Sequence, residues 1–205
     1  MLRTGLALTI ALATPALATP ALATQEYSLP TLFDVSGVSP GDVLNIRAEP
    51  NARAPILGTL APGAPRIEVV EERGGWARIN TGEGTGWVSM RYLAYRTDVW
   101  EPGALPAGFR CLGTEPFWDA GPDGGDLVLR TPEDQVGDRR PVQAVLDTGV
   151  FRHPARVVVA RDMTLVAQPQ LCSDGMSDRL FGLSATLVIH GEQPRMLSGC
   201  CSIGP

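Results

Sequence analysis

Three carboxylates and one tryptophan stand in the two motifs of this chain that could form a chemical site. Glu115 and Trp118 lie in Cys-Leu-Gly-Thr-Glu-Pro-Phe-Trp, and Asp174 and Asp178 lie in Cys-Ser-Asp-Gly-Met-Ser-Asp. Together these carboxylates could hold Ca²⁺ or a small ligand, or act as an acid/base pair beside the indole. The second motif lacks the further regularly spaced oxygen ligands of a calcium loop. The favoured alternative is structural: Asp and Ser brace a glycine turn, and Glu115 pairs with an Arg.

Histidine and nucleophile patterns give little support to an enzyme. The chain has two histidines, His153 and His190, and they form neither H-x-H nor H-E-x-x-H, patterns typical of zinc hydrolases. A hydrolase pairing Cys111 or Cys172 with His153 would need a free thiolate, and disulfides are a better use for these sulfurs. We therefore expect a protein that is not an enzyme and that needs no cofactor and no metal.

The four cysteines all lie in the C-terminal half, at Cys111, Cys172, Cys200 and Cys201. In an exported chain an even number of cysteines indicates disulfides. Neighbours on an extended strand point to opposite faces, so a bond between Cys200 and Cys201 would need a strained turn. We expect Cys111 and Cys172 to pair with one each of the adjacent cysteines, in either combination. A metal site is the weaker interpretation, because no C-x-x-C pair occurs.

Export is predicted by the N-terminus, where Met-Leu-Arg precedes the apolar run Gly5 to Ala13 and several small-x-small cleavage sites. We place a signal peptide at residues 1–23, with cleavage after Ala18 as the alternative. No later apolar run approaches the roughly 20 residues that a membrane-spanning helix needs. The net charge of −5, without a basic cluster, argues against nucleic acid as a partner. A periplasmic or secreted protein is expected.

Short apolar segments separated by Gly and Pro follow one another from residue 32 to residue 96. Asp42 to Arg47 alternates apolar and polar residues, and similar segments follow at 56–60, 66–70 and 76–80, with a turn at 82–86 before the next strand. This spacing predicts a small β-barrel. Trp76 and Trp87 each follow a Gly, so each either fills the barrel or forms a ligand platform beside a turn. Arg91 and Tyr92 could line a shallow groove suited to sugar faces and peptide carboxylates.

The same segments resemble the bacterial SH3 domain. The resemblance lies in Leu-Asn-Ile-Arg at 44–47, Gly-Thr-Leu at 58–60 with Pro-Gly at 62–63, Gly-Trp-Ala-Arg-Ile at 75–79, Gly-Trp-Val at 86–88 and Tyr-Leu at 92–93. It implies a barrel of five or six strands over residues 32–96. It also implies an attachment module of secreted or envelope proteins, which often binds peptidoglycan or another wall component.

A second β domain is predicted at residues 109–205, after a Pro/Gly connector at 97–108. β-branched strands at 126–130, 155–160, 163–167 and 183–189 are bounded by turn residues, and Arg161-Asp162 predicts a hairpin turn. No stretch has the 3.6-residue period of a helix. The fold class is therefore all-β: a small SH3-like barrel plus a second, disulfide-stapled antiparallel β domain.

The motifs of this second part resemble those of an uncharacterised family of bacterial envelope proteins. That family is marked by C-x-G-x-E-P-F-W, C-x-D-G-M-S-D and a closing G-C-C, which here ends at Cys201. One departure is Arg-Leu-Phe-Gly after Asp178, where a Tyr-Pro pair is expected. The resemblance implies an extracytoplasmic β domain without an assigned activity.

The functional expectation is a non-enzymatic, exported cell-envelope protein whose SH3-like module docks to peptidoglycan or an envelope protein. One alternative is an inhibitor of a lysozyme-like, wall-cleaving hydrolase, because residues 99–205 hold 13 acids against 9 Arg and could present a preorganised acidic loop. A lesser alternative is a wall hydrolase or carboxylate-based enzyme. Candidate ligand-binding residues are Trp76, Trp87, Arg91, Tyr92, Glu115, Trp118, Asp174 and Asp178.

Overall fold

The computed structural model describes residues 27–82 and 84–204. The predicted signal peptide, residues 1–23, lies outside the described residues. The described chain forms sixteen β-strands and one single-turn 3-10 helix at Met90–Tyr92, which confirms the all-β fold class. None of the described residues forms a helix long and apolar enough to span a bilayer.

The first eight strands form what we call the N-terminal unit. They are β1 (Thr31–Val35), β2 (Leu44–Arg47), β3 (Ile56–Leu60), β4 (Ile67–Val69), β5 (Glu71–Arg73), β6 (Trp76–Thr81), β7 (Gly84–Ser89) and β8 (Leu93–Tyr95). They pair in two sheets, β4-β1-β8 and β3-β2-β7-β6-β5. Side chains alternate between the two faces of β2 and β6, as the period-two pattern predicts. The inward-facing residues form one shared core: Leu44, Ile46, Ala77 and Ile79.

Two local predictions in this unit differ from the structure. The predicted turn at 82–86 is shorter, because β7 already begins at Gly84. Gly86 is a strand residue whose missing side chain makes room for Ile46 of β2, since a Cβ atom there would overlap Ile46 Cγ2. The predicted strand at 66–70 ends at Val69, and the chain then enters the other sheet as β5.

The remaining strands form a closed antiparallel barrel. They are β9 (Arg110–Thr114), β10 (Phe117–Asp123), β11 (Asp126–Arg130), β12 (Asp138–Leu146), β13 (Arg156–Ala160), β14 (Met163–Cys172), β15 (Phe181–Ile189) and β16 (Arg195–Ser202). Each strand pairs with the next in the chain, and β16 closes the barrel on β9. Buried side chains such as Leu127, Leu165, Leu183 and Leu187 fill the interior. An eight-stranded barrel is just wide enough for such a packed interior.

The segment at 97–108 packs against the barrel, which a free connector would not do. Val99 and Trp100 are 5% and 3% exposed, and both belong to the barrel's core cluster. The Trp100 indole Nε1 donates a hydrogen bond to the Pro30 carbonyl, 2.8 Å away. Two large apolar side chains in a Pro/Gly segment gain more from burial than from solvent exposure, so the segment docks.

Specific contacts join the N-terminal unit to the barrel. The Asn80 side chain donates to the Leu180 carbonyl at 3.0 Å and accepts from the Leu180 N–H at 2.9 Å. Pro30 sits on Gly182 of β15, where a Cβ atom would lie 2.6 Å from Pro30 Cγ. Leu32 of β1 belongs to the barrel's core cluster, whereas its neighbour Phe33 belongs to the core of the N-terminal unit. The two cores therefore share one strand.

Candidate functional site

A surface groove of about 450 Å³ lies on the N-terminal unit, and we call it the Trp76 groove. It contains three of the four site residues predicted for this unit: Trp76, Arg91 and Tyr92. Trp76 opens β6 directly after the turn glycines Gly74 and Gly75, whose φ angles are +55° and +80°. Because β6 sends alternate residues into the core, Trp76 faces the other way and is half-buried.

The pairing of β6 with β7 explains why these three residues meet. Trp76 stands opposite Ser89, the last residue of β7, and the single-turn helix that carries Arg91 and Tyr92 follows at once. The Arg91 guanidinium lies 5.8 Å from the centre of the Tyr92 ring. In the part of the chain that the structure describes, Arg91 forms no hydrogen bond or ion pair. The groove thus combines two aromatic side chains with a cation that has no carboxylate partner among the described residues.

Further polar residues line the groove, among them two on the polar side of β2, Asn45 and Arg47. Asp42 and Asn45 line the groove, and Arg47 is held at its edge by donating to the Ala54 carbonyl at 2.8 Å. The polar side of the segment 42–47 predicts a solvated face or a turn-bracing hydrogen bond, and the contact from Arg47 to Ala54 is of the second kind. This set of groups can hold a sugar face on its aromatic rings and a carboxylate on its guanidinium.

Ser39 also lines the groove, within a stretch that has the G-x-S-x-G spacing of a hydrolase nucleophile elbow, Gly37 to Gly41. Such an elbow places its serine between a strand and a helix, with a histidine in reach. The described residues after Gly41 continue into β2, and neither histidine lines the groove. Ser39 therefore lies in a loop before β2 and not at a strand-to-helix turn.

Trp87 lies apart from the groove. It is 6% exposed and faces away from the core residue Val88. The guanidiniums of Arg73 and Arg78 cover its ring, at 5.1 and 5.7 Å from the ring centre. Arg78 and Arg47 are its direct partners in the neighbouring strands. This burial under two cations favours the packing role among the two interpretations of Trp87.

A second, open groove of about 780 Å³ lies on the barrel, and we call it the Cys172 groove. Glu115 and Asp174 line it, together with the exposed apolar side chains of Phe117 (50%) and Met176 (68%). Thr114 Oγ1 donates to the Asp174 carbonyl at 2.7 Å, and this hydrogen bond joins the end of β9 to the loop that follows β14. The two apolar residues were not identified from the sequence, although a Met in a polar loop is a detectable signal.

Asp174 braces its own turn. Its Oδ1 accepts hydrogen bonds from the N–H groups of Met176 and Ser177, at 3.0 and 2.9 Å, and its Oδ2 accepts from the Ser177 hydroxyl at 2.9 Å. Burial acts to raise the pKa of Asp174, but these hydrogen bonds outweigh it and hold the pKa below its usual value. This is the turn-bracing alternative stated for the motif, and it occupies both carboxylate oxygens.

The predicted carboxylates do not converge on one point. Asp178 is exposed, lies outside the lining of the Cys172 groove, and approaches Gly84 of the N-terminal unit. Glu115 is exposed at the turn between β9 and β10. Across residues 27–82 and 84–204 no group of three or more His, Cys, Asp or Glu side chains could hold a metal ion.

Trp118 is part of the barrel core rather than of the open surface. It is 4% exposed, and its Nε1 donates to the Ser198 carbonyl at 3.3 Å. Two glycines make room for the ring: a Cβ atom at Gly113 would lie 2.8 Å from its Cδ1, and one at Gly199 would lie 3.0 Å from its Cζ2. The glycines of C-x-G-x-E-P-F-W and of G-C-C therefore have a packing reason.

The disulfide prediction is confirmed and its open alternative is resolved. Cys111 pairs with Cys201, directly opposite it across β9 and β16, and Cys172 pairs with Cys200. Because consecutive strand residues face opposite sides, Cys201 lies inside the barrel while Cys200 is covered by the bridge to Cys172. The described residues contain no free cysteine.

Comparison with known proteins identifies one part of the chain. Residues 42–94 match the family model described as the bacterial SH3 domain, and these residues span β2 to β8 and the Trp76 groove. No curated protein and no solved structure matches the chain. The resemblance of the barrel's motifs to an envelope-protein family stays a prediction. The N-terminal unit contains, at residues 42–94, a bacterial SH3 domain, and this suggests a module that binds peptidoglycan or a protein.

Proposed function

We propose that this protein is a non-enzymatic binding protein of the cell envelope, docked to peptidoglycan or to an envelope protein through the Trp76 groove. The observation that carries the proposal is the meeting of Trp76, Tyr92 and Arg91 within the bacterial SH3 domain, where the Arg91 guanidinium has no carboxylate partner among the described residues. Aromatic rings with one cation suit a ligand that offers an apolar or sugar face and a carboxylate.

Peptidoglycan offers both of these features. The C–H faces of its sugars can lie on the Trp76 and Tyr92 rings, and the carboxylates of its peptides can pair with Arg91. Arg binds carboxylates through two parallel hydrogen bonds, which gives orientation as well as affinity. A protein partner with an exposed acidic side chain could bind the same three residues, Trp76, Tyr92 and Arg91. The experiment below therefore tests the wall and a protein as two alternative ligands.

An extracellular or periplasmic location is also part of the proposal. Two disulfides and a bacterial SH3 domain fit an extracellular or periplasmic protein. The predicted signal peptide at residues 1–23 would provide the export. N-terminal sequencing of protein recovered from the periplasm or medium tests this step, and a chain that still begins at Met1 would contradict it.

The absence of catalysis is also part of the proposal. Both histidines have structural contacts: His190 Nε2 hydrogen-bonds Thr164 at 3.2 Å, and His153 Nδ1 accepts from the Ala155 N–H at 3.3 Å. A carboxylate enzyme built on Glu115 and Asp174 has little support, because Asp174 uses both oxygens on its own turn.

Sedimentation with purified, protein-free sacculi tests the docking step. We expect Trp76→Ala to weaken binding by about 2 kcal/mol, or about 30-fold in Kd, and Arg91→Ala by about tenfold. Phe151→Ala and Arg195→Ala are matched controls, since both side chains are exposed on the barrel. A thermal melt of each variant separates lost binding from lost folding.

Two results would overturn the role of the groove. One is wild-type binding by both groove variants. The other is failure of the wild-type protein to bind sacculi together with failure to capture any acidic envelope protein through Arg91. Capture of such a protein without retention on sacculi would show that the ligand of the groove is an envelope protein and not peptidoglycan.

A second candidate function is inhibition of a lysozyme-like hydrolase by the loop at 173–178. This loop is anchored by the Cys172–Cys200 bridge, braced by Asp174, and presents Met176 with 68% of its surface exposed. A loop that is ordered before binding loses less entropy on insertion into an enzyme cleft. Lysozyme turnover should then fall with wild-type protein but not with Met176→Ala; unchanged turnover would exclude this function.

A further inference from the structure

Glu68 of β4 reaches from the N-terminal unit to the segment that follows β16. Its Oε2 accepts hydrogen bonds from the N–H groups of Ile203 and Gly204, at 3.2 and 2.9 Å. Ile203 is fully buried in the barrel's core cluster. In the pairing of β1 with β4, Glu68 stands opposite Leu32, which also belongs to the barrel cluster. The carboxyl group therefore lies where the two units meet.

The other carboxyl oxygen is unusual. Oε1 of Glu68 is covered from solvent and has no hydrogen-bond partner among the described residues. Gly204 packs closely on the Glu68 side chain, because a Cβ atom at Gly204 would lie 3.0 Å from Oε2 and 3.1 Å from the Glu68 Cβ atom. Glu68 as a whole is half-buried, but a carboxylate whose covered oxygen has no donor is costly to ionise, since the charge there loses its hydration without a replacement.

The charged neighbours do not neutralise this carboxyl group by direct contact. Arg66, two residues earlier on the same face, donates to the Ile203 carbonyl at 3.0 Å and to the Ala107 carbonyl. On β1 the acidic residue of that face is Asp34, which pairs with Arg96 at 3.0 Å. Arg179, from the loop between β14 and β15, attracts the carboxylate but forms no ion pair with it in the described chain.

Burial raises the pKa of Glu68 to about 7, although the hydrogen bonds from Gly204 and Ile203 and the attraction of Arg179 oppose this. We propose that Glu68 is a pH-sensitive latch between the N-terminal unit and the barrel: the closed joint is most stable while the carboxyl group is protonated, and ionisation favours opening because the covered Oε1 then needs water, which outweighs the stronger hydrogen bonds to Oε2. Its partner in the latch is the Ile203–Gly204 backbone. This device is independent of the Trp76 groove.

The direction of the pH effect follows from linkage. The folded protein binds the Glu68 proton more tightly than the unfolded chain, so the folded state is favoured at low pH. The full stabilisation is present below the ordinary pKa of 4.5 and is lost as the pH rises through about 7. Between these limits the ratio of folded to unfolded protein should fall by about 300-fold at most.

Urea unfolding between pH 4.5 and pH 8 tests the latch on the whole chain. Wild-type protein should lose stability over this range, and Glu68→Gln, which is neutral at every pH, should lose most of that dependence. Glu192→Gln is the matched control, because Glu192 is exposed in the turn between β15 and β16. Equal pH dependence in wild type and Glu68→Gln would overturn the proposal, as would a wild-type protein that gains stability toward pH 8.

Two measurements on the wild-type protein remain decisive if Glu68→Gln does not fold. Carbon NMR of the glutamate side chains should show one carboxyl group titrating near pH 7, and midpoints that all lie below pH 5 would refute the latch. Hydrogen exchange at the Gly204 amide, corrected for its intrinsic pH dependence, should report more frequent opening at pH 8 than at pH 5. Equal opening at both pH values would refute it as well.

Discussion

Arg156 offers the sharpest test of how the segment at 97–108 is held. The residue is 2% exposed at the start of β13, and its guanidinium lies 4.9 Å from the centre of the Trp100 ring. It donates to four backbone carbonyls, those of Ala104 (2.9 Å), Glu101 (3.0 Å), His153 (2.6 Å) and Ala155 (2.8 Å). Burial lowers the pKa of this Arg from its ordinary value, and the attraction of Asp147 opposes the change.

We predict that Arg156→Met destabilises the protein by about 3 kcal/mol. Hydrogen bonds from a charged donor contribute about 1.5–3 kcal/mol each, and the substitution removes four of them. It also removes the free-energy cost of burying the charge, and this offsets part of the loss. Glu101 and Ala104 are exposed residues, so water can replace part of the lost bonding. For a chain of this size the expected fall in Tm is about 6–12 °C.

Arg140→Met is the matched control, because Arg140 pairs with Asp138 at 2.7 Å and with Asp162 at 3.6 Å while 29% of its side chain stays exposed. Such a partly exposed ion pair contributes at most about 1 kcal/mol. Urea unfolding of both variants gives the comparison, and limited proteolysis shows whether the 101–104 segment is released. Equal destabilisation by the two substitutions would refute the argument that the Arg156 contacts to the Glu101 and Ala104 carbonyls hold this segment.

Two further predictions concern the barrel. Mild dithiol treatment followed by alkylation should label Cys172 and Cys200 before Cys111 and Cys201. The reason is that Cys172 lines an open groove, while the sulfurs of the other pair are inside the barrel. Simultaneous labelling of both pairs under native conditions would contradict this prediction. Gly199→Ala should destabilise the protein by about 2 kcal/mol or more, since its Cβ atom would overlap the Leu112 carbonyl. Gly58→Ala is the control, because its Cβ atom would make ordinary contacts at 3.6 Å, and it should destabilise the protein by less than about 1 kcal/mol in the same thermal melt.

The strands were predictable because their signal is local. Segments such as 42–47 and 183–189 alternate or run apolar between turn residues, and their ends differ from those of β2 and β15 by at most two residues. Asp162, at φ +57°, forms the hairpin turn predicted between β13 and β14. Closure of the barrel by β16 on β9 was not predictable, because it joins residues about 90 positions apart.

The candidate sites divide along the same line. Trp76 and Tyr92 meet because adjacent strands of one hairpin place them together, so their short separation already favoured a common groove. The burial of Trp87 depends on Arg73 and Arg78 from two other strands, and no pattern around Trp87 encodes it. The role of Asp174 was open because a Gly turn and a ligand loop have the same composition.

The strand β1 limits how this protein can be divided. Leu32 and Pro30 complete the barrel, while Phe33 and Val35 complete the N-terminal unit. A truncation beginning after residue 98 would strip apolar surface from the barrel, and a fragment ending at residue 96 would leave Leu32 without its neighbours. Swapping the SH3 domain with that of another protein therefore needs at least two crossovers, one on each side of residues 42–94, so recombination at a single junction would damage both cores.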